Sequence, residues 1–377
     1  MKKTFALVVF IVFTTAGYSQ SVKQIFSKAL RLPDSLTKTT KGISSYVKEQ
    51  FSSDSERIRA LFVWEASNIQ YDVDNMFALD YSDSTEQKIN KALTTRKAIC
   101  EGYAELFNQL CHECDIKSIV VTGFTKQRGM VDYIPHAWVV ANLYNKWYVF
   151  DPTWSSGYLN NGRFVNTFTN AFYKVAPEAI IKTHMPFDPM LQFLNYPLTS
   201  QEFYQGNTEI NTTKPFFNYE DTIKVHNSLS NYQQLKNTAR RIEANGVRSS
   251  MILQMLQYLK NQQEYEMSQV MQKASNKAND AVALYNKYVE FKNHQFQPKK
   301  DDKQIQEMVD TVSSALSDAR NILVTVEFAD PNNKLAITHL NDHMNEMEKL
   351  LSDEKIFVAK YLKTGKLLRP LLFRVKT

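Results

Sequence analysis

The sequence predicts an α+β domain, in which a helix packs on an antiparallel sheet, followed by an all-helical region that forms a hairpin or small bundle. The first part of the chain, 43 to about 210, mixes helical patterns with β-rich runs and aromatic loops. From about residue 215 the chain is rich in Gln, Asn and Lys and contains very few Gly or Pro residues. We therefore expect an α+β domain over 43–210 and a helical domain over 215–377.

The elements of the first domain follow from hydrophobic periodicity. The stretches 54–72 and 100–115 carry apolar residues three and four positions apart, which is the spacing that lines one face of a helix. Residues 118–123 predict a strand that ends at a glycine, and 136–143 with 146–151 predict the two strands of a hairpin.

Long helices dominate the second domain. We expect them at about 229–245, 247–295, 302–326 and 333–363, with glycine- and proline-containing segments as the breaks between them. These helices carry no catalytic combination of side chains. We expect instead that this region can dock a protein partner.

The N-terminus has the layout of a secretory signal peptide. Two lysines precede an apolar run from Phe5 to Phe13, and small and polar residues follow it. Cleavage is expected between Ser19 and Gln20, which makes 1–19 the signal peptide and the mature protein periplasmic or secreted. The apolar run is shorter than the roughly 20 residues that a membrane-spanning helix needs, so we expect no stable membrane insertion.

The basic charge does not indicate a nucleic-acid partner. The formal net charge of +6 at pH 7 is spread along the whole chain. No run of basic residues is interleaved with aromatic residues, as a nucleic-acid surface would be. Scattered lysines on solvated helix faces account for the excess.

The predicted hairpin brings together two side chains that can do chemistry. His136 opens its first strand, and Asp151 ends its second. A two-residue turn at Tyr144 and Asn145 pairs Asp151 with Trp138. Because side chains alternate between the faces of a sheet, His136 and Asp151 then share one face. They become diagonal neighbours, roughly 7–8 Å apart at the backbone.

A cysteine in the second predicted helix can complete a catalytic set. The thiolate is the attacking form of cysteine, and both a helix N-terminus and a nearby imidazole stabilise it. Cys100 lies in the first turn, where backbone N–H groups can also bind an oxyanion. Each residue alone is more often structural. Together, Cys100, His136 and Asp151 have the chemistry of a nucleophile, a general base and an orienting carboxylate.

Four stretches around these residues resemble the transglutaminase-like superfamily, which is related by fold to papain-type thiol enzymes. They read KAICEGYAELFNQLC, VVTGF, HAWVV and KWYVFDPTW. The family's Cys, His and Asp match Cys100, His136 and Asp151 one for one. Upstream, RALFVWEASNIQYD resembles the helix that precedes the nucleophile, and the resemblance covers roughly 55–200.

The segment 172–194 resembles the tail of members akin to kyphoscoliosis-peptidase and cytokinesis-protein domains. That tail often carries a Trp before the Gln, whereas this chain has Leu191 before Gln192. The departure affects the assignment to that subgroup and leaves the Cys, His and Asp matches as they are.

The resemblance implies a papain-like core and acyl transfer. A thiolate attacks an amide carbonyl, ammonia or an amine leaves, and an amine or water resolves the thioester. Members use this chemistry for glutamine–lysine crosslinking, deamidation or peptide hydrolysis. The expected function is an exported cysteine acyltransferase or protease that acts, without a cofactor, on a protein or peptide, cell-wall peptide included. Because some members have lost catalysis, a catalytically silent protein-interaction module is the alternative.

The other two cysteines, Cys111 and Cys114, lie at the end of the second predicted helix with His112 between them. Zinc sites normally use three or four protein ligands, and the chain has no second cysteine pair. We therefore expect no metal here, and either two core thiols or a Cys111–Cys114 disulfide.

Three aromatic residues are candidates for the substrate groove. Trp138 and Trp154 flank His136 and Asp151 in sequence, and Tyr71 could donate a hydrogen bond to an oxyanion. Packing in the core is the competing interpretation for all three. His184 is expected to be structural.

Overall fold

The computed structural model of the chain describes residues 22–77, 83–324 and 331–373. The predicted signal peptide, 1–19, and its cleavage point lie outside these residues. The chain forms two compact units, with the boundary between Tyr258 and Leu259. In the ranges described, no helix has the length and apolar character needed to cross a bilayer.

Along the described chain, a helix-rich segment comes first, the strands of the main sheet follow, and a second helix-rich segment comes after them. The helices are 22–30 (α1), Thr40–Gln50 (α2), Asp54–Asn68 (α3), Thr85–Thr95 (α4), Cys100–Glu113 (α5), Pro152–Ser156 (α6), Pro177–Ile180 (α7), Ser200–Gln205 (α8), Tyr219–Ser228 (α9), Asn231–Ala244 (α10), Ser250–Asn293 (α11), Asp302–Val324 (α12) and Pro331–Lys363 (α13). The strands are Gln70–Tyr71 (β1), Lys97–Ala98 (β2), Ser118–Gln127 (β3), Met130–Val131 (β4), His136–Leu143 (β5), Lys146–Phe150 (β6), Gly157–Asn160 (β7), Arg163–Asn166 (β8) and His184–Pro186 (β9). Short 3₁₀ helices lie at Asp34–Lys38, Val73–Asn75, Pro189–Gln192 and Arg369–Phe373.

Helix α3 begins where predicted and ends earlier. Ser53 and Glu56 form a capping box at its start, in which each side chain accepts the other's backbone N–H. The predicted helix ran to residue 72, but α3 ends at Asn68 because β1 follows at once and pairs in parallel with β2. This pairing places Tyr71 beside the start of α5.

The main sheet has the strand order β4-β3-β5-β6, and β9 also pairs with β3. Gly123 of β3 is in register with both His136 of β5 and Pro186 of β9, so β5 and β9 flank β3 on its two sides. All these pairs are antiparallel, and α5 packs against β3 and β5. The predicted helix on an antiparallel sheet is confirmed.

Both faces of the central strand β5 are buried. Val139 belongs to a hydrophobic core built with α3 and α5, whereas Val140 belongs to a second core on the opposite face. Phe193 and Ile223, from the chain after β9, complete that second core. Because each face has its own cover, β5 is almost continuously apolar rather than alternating.

Strand β3 continues past Gly123, where the sequence predicted its end. A Cβ at Gly123 would lie 2.1 Å from the carbonyl oxygen of Met185 and 2.7 Å from the Trp138 ring. The glycine therefore lets β9 and Trp138 approach β3 closely instead of terminating the strand. The strand ends at Gln127.

The β5–β6 hairpin has the predicted two-residue turn. Tyr144 and Asn145 have φ angles of 55° and 62°, the positive values that a type I′ turn requires. Leu143 pairs with Lys146, so the predicted register is confirmed.

The long helices predicted for the C-terminal part are present as α10 to α13, within a few residues of the predicted bounds, whereas α9 was not predicted. The first unit extends beyond 43–210 because α9 and α10 pack on it. Ile223 enters its second core, and the guanidinium of Arg241 makes a two-pronged ion pair with the buried Asp188. In the second unit, α12 packs against α13 around a core that includes Tyr288 and Met344.

Candidate active site

The hairpin joins His136 and Asp151 directly. His136 is the first residue of β5, and Asp151 follows the last residue of β6. Nε2 of His136 lies 2.7 Å from Oδ2 of Asp151, and both side chains are buried. This hydrogen bond follows from the hairpin register, which puts the two residues on one face of the sheet.

Asp151 also caps helix α6. Its Oδ1 accepts a hydrogen bond of 2.9 Å from the backbone N–H of Trp154. Pro152 occupies the first helical position, where its missing N–H leaves no helix bond unmade. The sequence Asp-Pro-Thr-Trp is therefore a helix start. The cap holds one carboxylate oxygen and leaves the other free to face His136.

Cys100 is the first residue of α5, as predicted, and is largely buried. The backbone N–H groups of a first helical turn have no partner within the helix, and they point toward the space in front of it. The Cys100 thiol is close enough to the His136 ring to raise its pKa, and both residues line the same cleft. The structure therefore brings Cys100, His136 and Asp151 into one chain of contacts.

The electrostatics favour an ionic form of the histidine–aspartate pair. Burial by itself lowers the pKa of His136, but the charge and hydrogen bond of Asp151, with the hydrogen bond to Cys100, raise it to about 10. Burial by itself raises the pKa of Asp151, yet the charge and hydrogen bond of His136 outweigh it and lower that pKa below its usual range. With Asp151 on one side, the His136 ring is favoured as imidazolium. This positive charge stabilises a thiolate at Cys100 on the other side of the ring.

Cys100 and His136 open on a cleft of about 690 Å³. Tyr71 and Trp154 line the same cleft. The Trp154 ring lies 5.5 Å from the His136 ring, centroid to centroid, and covers the histidine–aspartate pair. Burial raises the pKa of the Tyr71 hydroxyl, so this group stays protonated and able to donate a hydrogen bond.

The sequence around these residues is similar to that of a known protein family. Residues 41–152 match the pattern that describes the transglutaminase-like superfamily. The chain contains a transglutaminase-like domain. Its matched range includes helix α5 with Cys100, the strand that begins with His136 and the position of Asp151.

The transglutaminase-like domain is also similar to curated proteins. Kyphoscoliosis peptidase of Mus musculus is 29% identical over 163 residues, which is 41% of this chain and 24% of the mouse protein. Kyphoscoliosis peptidase of Homo sapiens is 28% identical over 163 residues, which is 41% of this chain and 24% of the human protein. The chain thus spans about a quarter of the length of these relatives. A solved structure described as a crystal structure of a TGase is 20% identical, covering 36% of this chain and 34% of that one with a TM-score of 0.25.

One predicted groove residue of the transglutaminase-like domain lies elsewhere. Trp138 is 1% exposed and does not line the cleft. Its ring packs over Gly123 and lies 5.1 Å from the ring of His184, centroid to centroid. Residues of β9 cover this face of the sheet. Because β9 is far from Trp138 in the chain, no local pattern around Trp138 predicted this cover. Trp138 is therefore a core residue, whereas Trp154 and Tyr71 reach the cleft.

His184, expected to be structural, contacts the carboxylate of the candidate site. Its Nε2 lies 3.1 Å from Oδ2 of Asp151, the same oxygen that His136 contacts. His184 begins β9, a strand of three residues that is too short to give a periodic signal. The only sign of His184 in the sequence was the segment 172–194, which resembles the tail of related domains. Where that segment lies on the sheet becomes known only from the pairing of β9 with β3.

Two histidines and an aspartate at such short distances raise the question of a metal. Among the described residues, His136, Asp151 and His184 form the group whose ligand atoms lie within 4.8 Å of one another. Those atoms are already joined by hydrogen bonds of 2.7 and 3.1 Å to a shared acceptor, Oδ2 of Asp151. We therefore assign the three residues to a hydrogen-bond network.

The remaining cysteines of the domain are separate from the cleft. Cys111 and Cys114 are both buried free thiols, so of the two expected arrangements the structure has core thiols. Burial raises the pKa of the Cys111 thiol and raises that of Cys114 to about 11. Both thiols therefore remain protonated at neutral pH, and they line no part of the cleft.

Proposed function

We propose that the transglutaminase-like domain is a thiol enzyme that transfers or hydrolyses the acyl group of protein or peptide amides, in a chain that is exported and loses its signal peptide. The observation that supports this most is the environment of His136. Its ring is hydrogen-bonded to Asp151 and interacts with the Cys100 thiol, which raises the pKa of the ring, and both His136 and Cys100 line an open cleft.

In the proposed first half-reaction, the Cys100 thiolate attacks the carbonyl carbon of an amide. An S–C bond forms, and the carbonyl oxygen becomes an oxyanion. When the adduct collapses, the C–N bond breaks and the His136 imidazolium donates its proton to the departing nitrogen, which leaves as ammonia or an amine. A thioester on Cys100 remains.

In the second half-reaction, neutral His136 accepts a proton from water or from an incoming amine. That nucleophile attacks the thioester carbonyl, and the thiolate leaves. Asp151 holds the ring in one orientation and stabilises the imidazolium in both halves. Attack by water gives hydrolysis or deamidation, and attack by an amine gives a crosslink.

Two hydrogen-bond donors flank the position of the oxyanion. The backbone N–H of Cys100 lies at the start of α5, where the helix dipole also favours negative charge. The Tyr71 hydroxyl lies in the same cleft, because the β1–β2 pairing holds it beside that helix start. Preorganised donors of this kind stabilise the tetrahedral adduct.

The lining of the cleft supports a peptide as substrate. Tyr133 and Tyr158 line it and are 79% and 57% exposed, so that two large rings are free to contact a bound chain. Arg128 and Asp132 add one charge of each sign. The mouse and human relatives are named peptidases, which supports an amide in a peptide as the bond attacked.

The proposal is tested by the reactivity of Cys100. We expect iodoacetamide at pH 7 to label Cys100 in the folded protein and to leave Cys111 and Cys114 unlabelled, as read by peptide mass mapping. His136→Ala should slow the labelling by at least about tenfold, because the imidazolium that stabilises the thiolate is gone. Incubation with a mixed peptide library then distinguishes ammonia loss, crosslinks and cleavage by mass.

A catalytically silent protein-interaction module is the second candidate. It is favoured by the low exposure of Cys100, whose side chain is 5% accessible. If Cys100 is as unreactive as Cys111 and Cys114 in the folded chain, this candidate replaces the enzyme. A protein partner of the C-terminal helices would then carry the function.

A further inference from the structure

The carboxylate of Asp151 is contacted by two imidazoles. His136 approaches Oδ2 from β5 at 2.7 Å, and His184 approaches the same oxygen from β9 at 3.1 Å. The two strands flank β3, and the residues opposite the histidines on it are Gly123 and Thr125. Both imidazoles therefore stand on one face of the sheet, and the missing side chain at Gly123 leaves the space between them.

The neighbours of His184 decide where its proton lies. An ionised carboxylate only accepts hydrogen bonds, so the Nε2 that faces Asp151 must carry a proton. Burial lowers the pKa of His184 and favours the neutral ring, which has a single N–H. Nδ1 is therefore unprotonated and accepts the hydroxyl proton of Thr183, whose oxygen lies 2.8 Å from Nδ1 and 3.2 Å from its other acceptor, the carbonyl oxygen of Ile180.

The contact of His184 with Asp151 completes a three-point support of the carboxylate. Oδ1 is held by the backbone N–H of Trp154, and Oδ2 is held by His184. His184 is 1% exposed, so water does not take its place. Without this donor, the only hydrogen bond of Oδ2 is the one from His136, the residue that gains and loses a proton in the proposed reaction.

We propose that His184 is a positioning residue of the thiol enzyme: a neutral imidazole that donates its Nε2 proton to Asp151, accepts from Thr183 at Nδ1, and holds the Asp151 carboxylate in the orientation His136 needs. The proposal rests on the proposed function for its effect on reactivity. Its structural part, the tautomer, stands apart from catalysis. His184 acts through Asp151 and does not reach the substrate.

Two substitutions at the same position test the role. The side-chain N–H of His184→Gln can reach the place of Nε2–H, whereas His184→Leu fills the volume and offers no donor. We expect His184→Leu to slow iodoacetamide labelling of Cys100 at pH 7 by about tenfold, as the loss of one hydrogen bond to a charged group predicts. His184→Gln should stay within about threefold of the unmodified protein.

Thermal unfolding of both variants separates positioning from stability. If Leu and Gln slow labelling equally, or if both leave it unchanged while lowering the unfolding temperature, His184 is a structural residue and the proposal fails. If the unmodified protein shows no labelling of Cys100 at all, the proposed function fails instead.

The tautomer has its own readout, independent of catalysis. In ¹⁵N-histidine-labelled protein we expect the His184 signals of a neutral ring with the proton on Nε2, unchanged from pH 6 to pH 8. A proton on Nδ1, or a titration in that range, would overturn the proposal. Loss of these signals on adding zinc, with labelling that depends on the zinc, would also overturn it, because His184 would then be a ligand.

Discussion

Asp151 and Glu65 are both wholly buried carboxyl groups of the transglutaminase-like domain, and their surroundings are opposite. Asp151 accepts hydrogen bonds from His136, His184 and the backbone of Trp154. Glu65, in the middle of α3, has no hydrogen-bond partner for either oxygen within the described residues. The pKa of Asp151 is lowered, whereas burial raises the pKa of Glu65 well above its ordinary value.

This difference teaches what a buried carboxyl group needs in order to keep its charge. Removing a carboxylate from water is costly, and the protein offsets that cost at Asp151 with three donors and a positive ring. No donor in the described part of the chain offsets it at Glu65, so burial favours the protonated form, an unpaired polar group in the core. The first carboxyl group can orient a base, whereas the second lowers the stability of the fold.

The largest expected effect comes from replacing each carboxyl group with an amide of the same shape. Asp151→Asn should reduce the labelling of Cys100 and any turnover by about 100- to 10,000-fold, because the amide no longer fixes the ring or stabilises imidazolium. Glu65→Gln, the matched control, should stay within about twofold. Equal activity of the two variants would remove Asp151 from the catalytic set.

Stability should change in the opposite direction at Glu65. Replacing it with Met keeps the volume and removes the unpaired carboxyl group, so we expect the free energy of unfolding to rise by about 1–3 kcal/mol at pH 7. Urea titration of the two proteins measures this difference. A Glu65→Met variant that is less stable than the unmodified protein would mean that Glu65 has a partner in solution.

The smallest effect is the pH dependence of stability, where the two carboxyl groups differ in sign. Glu65 has a raised pKa in the folded chain, so it destabilises the fold least below its ordinary value of 4.5, and the cost of burying it grows as the pH rises. The stability advantage of Glu65→Gln over the unmodified protein should therefore grow from pH 4.5 to pH 8 in urea titrations.

The Asp151 pair follows the other course. The lowered pKa of Asp151 gives a contribution that is present above its ordinary value of 3.8 and is lost as the pH falls. The raised pKa of His136 gives one that is complete below 6.5 and is lost as the pH rises toward about 10. We therefore expect Asp151→Asn to be destabilised most between pH 3.8 and pH 6.5, where both contributions are present. A destabilisation that grows steadily with pH would contradict the ion pair between Asp151 and His136.

Much of the fold could be predicted from the sequence because its signals are local. The turn at Tyr144 and Asn145 fixes the hairpin register, and the register places His136 and Asp151 on one face. The long C-terminal helices repeat their apolar spacing many times, so their bounds were predicted to within a few residues. Strand β9 has three residues and gives no such repetition.

The parts of the candidate site that were missed depend on contacts between distant segments. Trp138 was a candidate for the groove with core packing as the competing interpretation, and it lies in the core because β9 and the chain after it cover that face of the sheet. His184 was expected to be structural and reaches Asp151, because β9 pairs with β3 on the side away from β5.

The sequence by itself determined the helix that begins at Cys100, the hairpin and the facing of His136 toward Asp151, since turn chemistry and side-chain alternation act over a few residues. Only the tertiary structure decided which buried polar groups have partners. Asp151 acquired a second imidazole from a strand more than thirty positions away, and Glu65 acquired no partner among the residues that the structure describes. The physical reason is that hydrogen bonding between buried side chains depends on which segments pack together, and no local pattern specifies that.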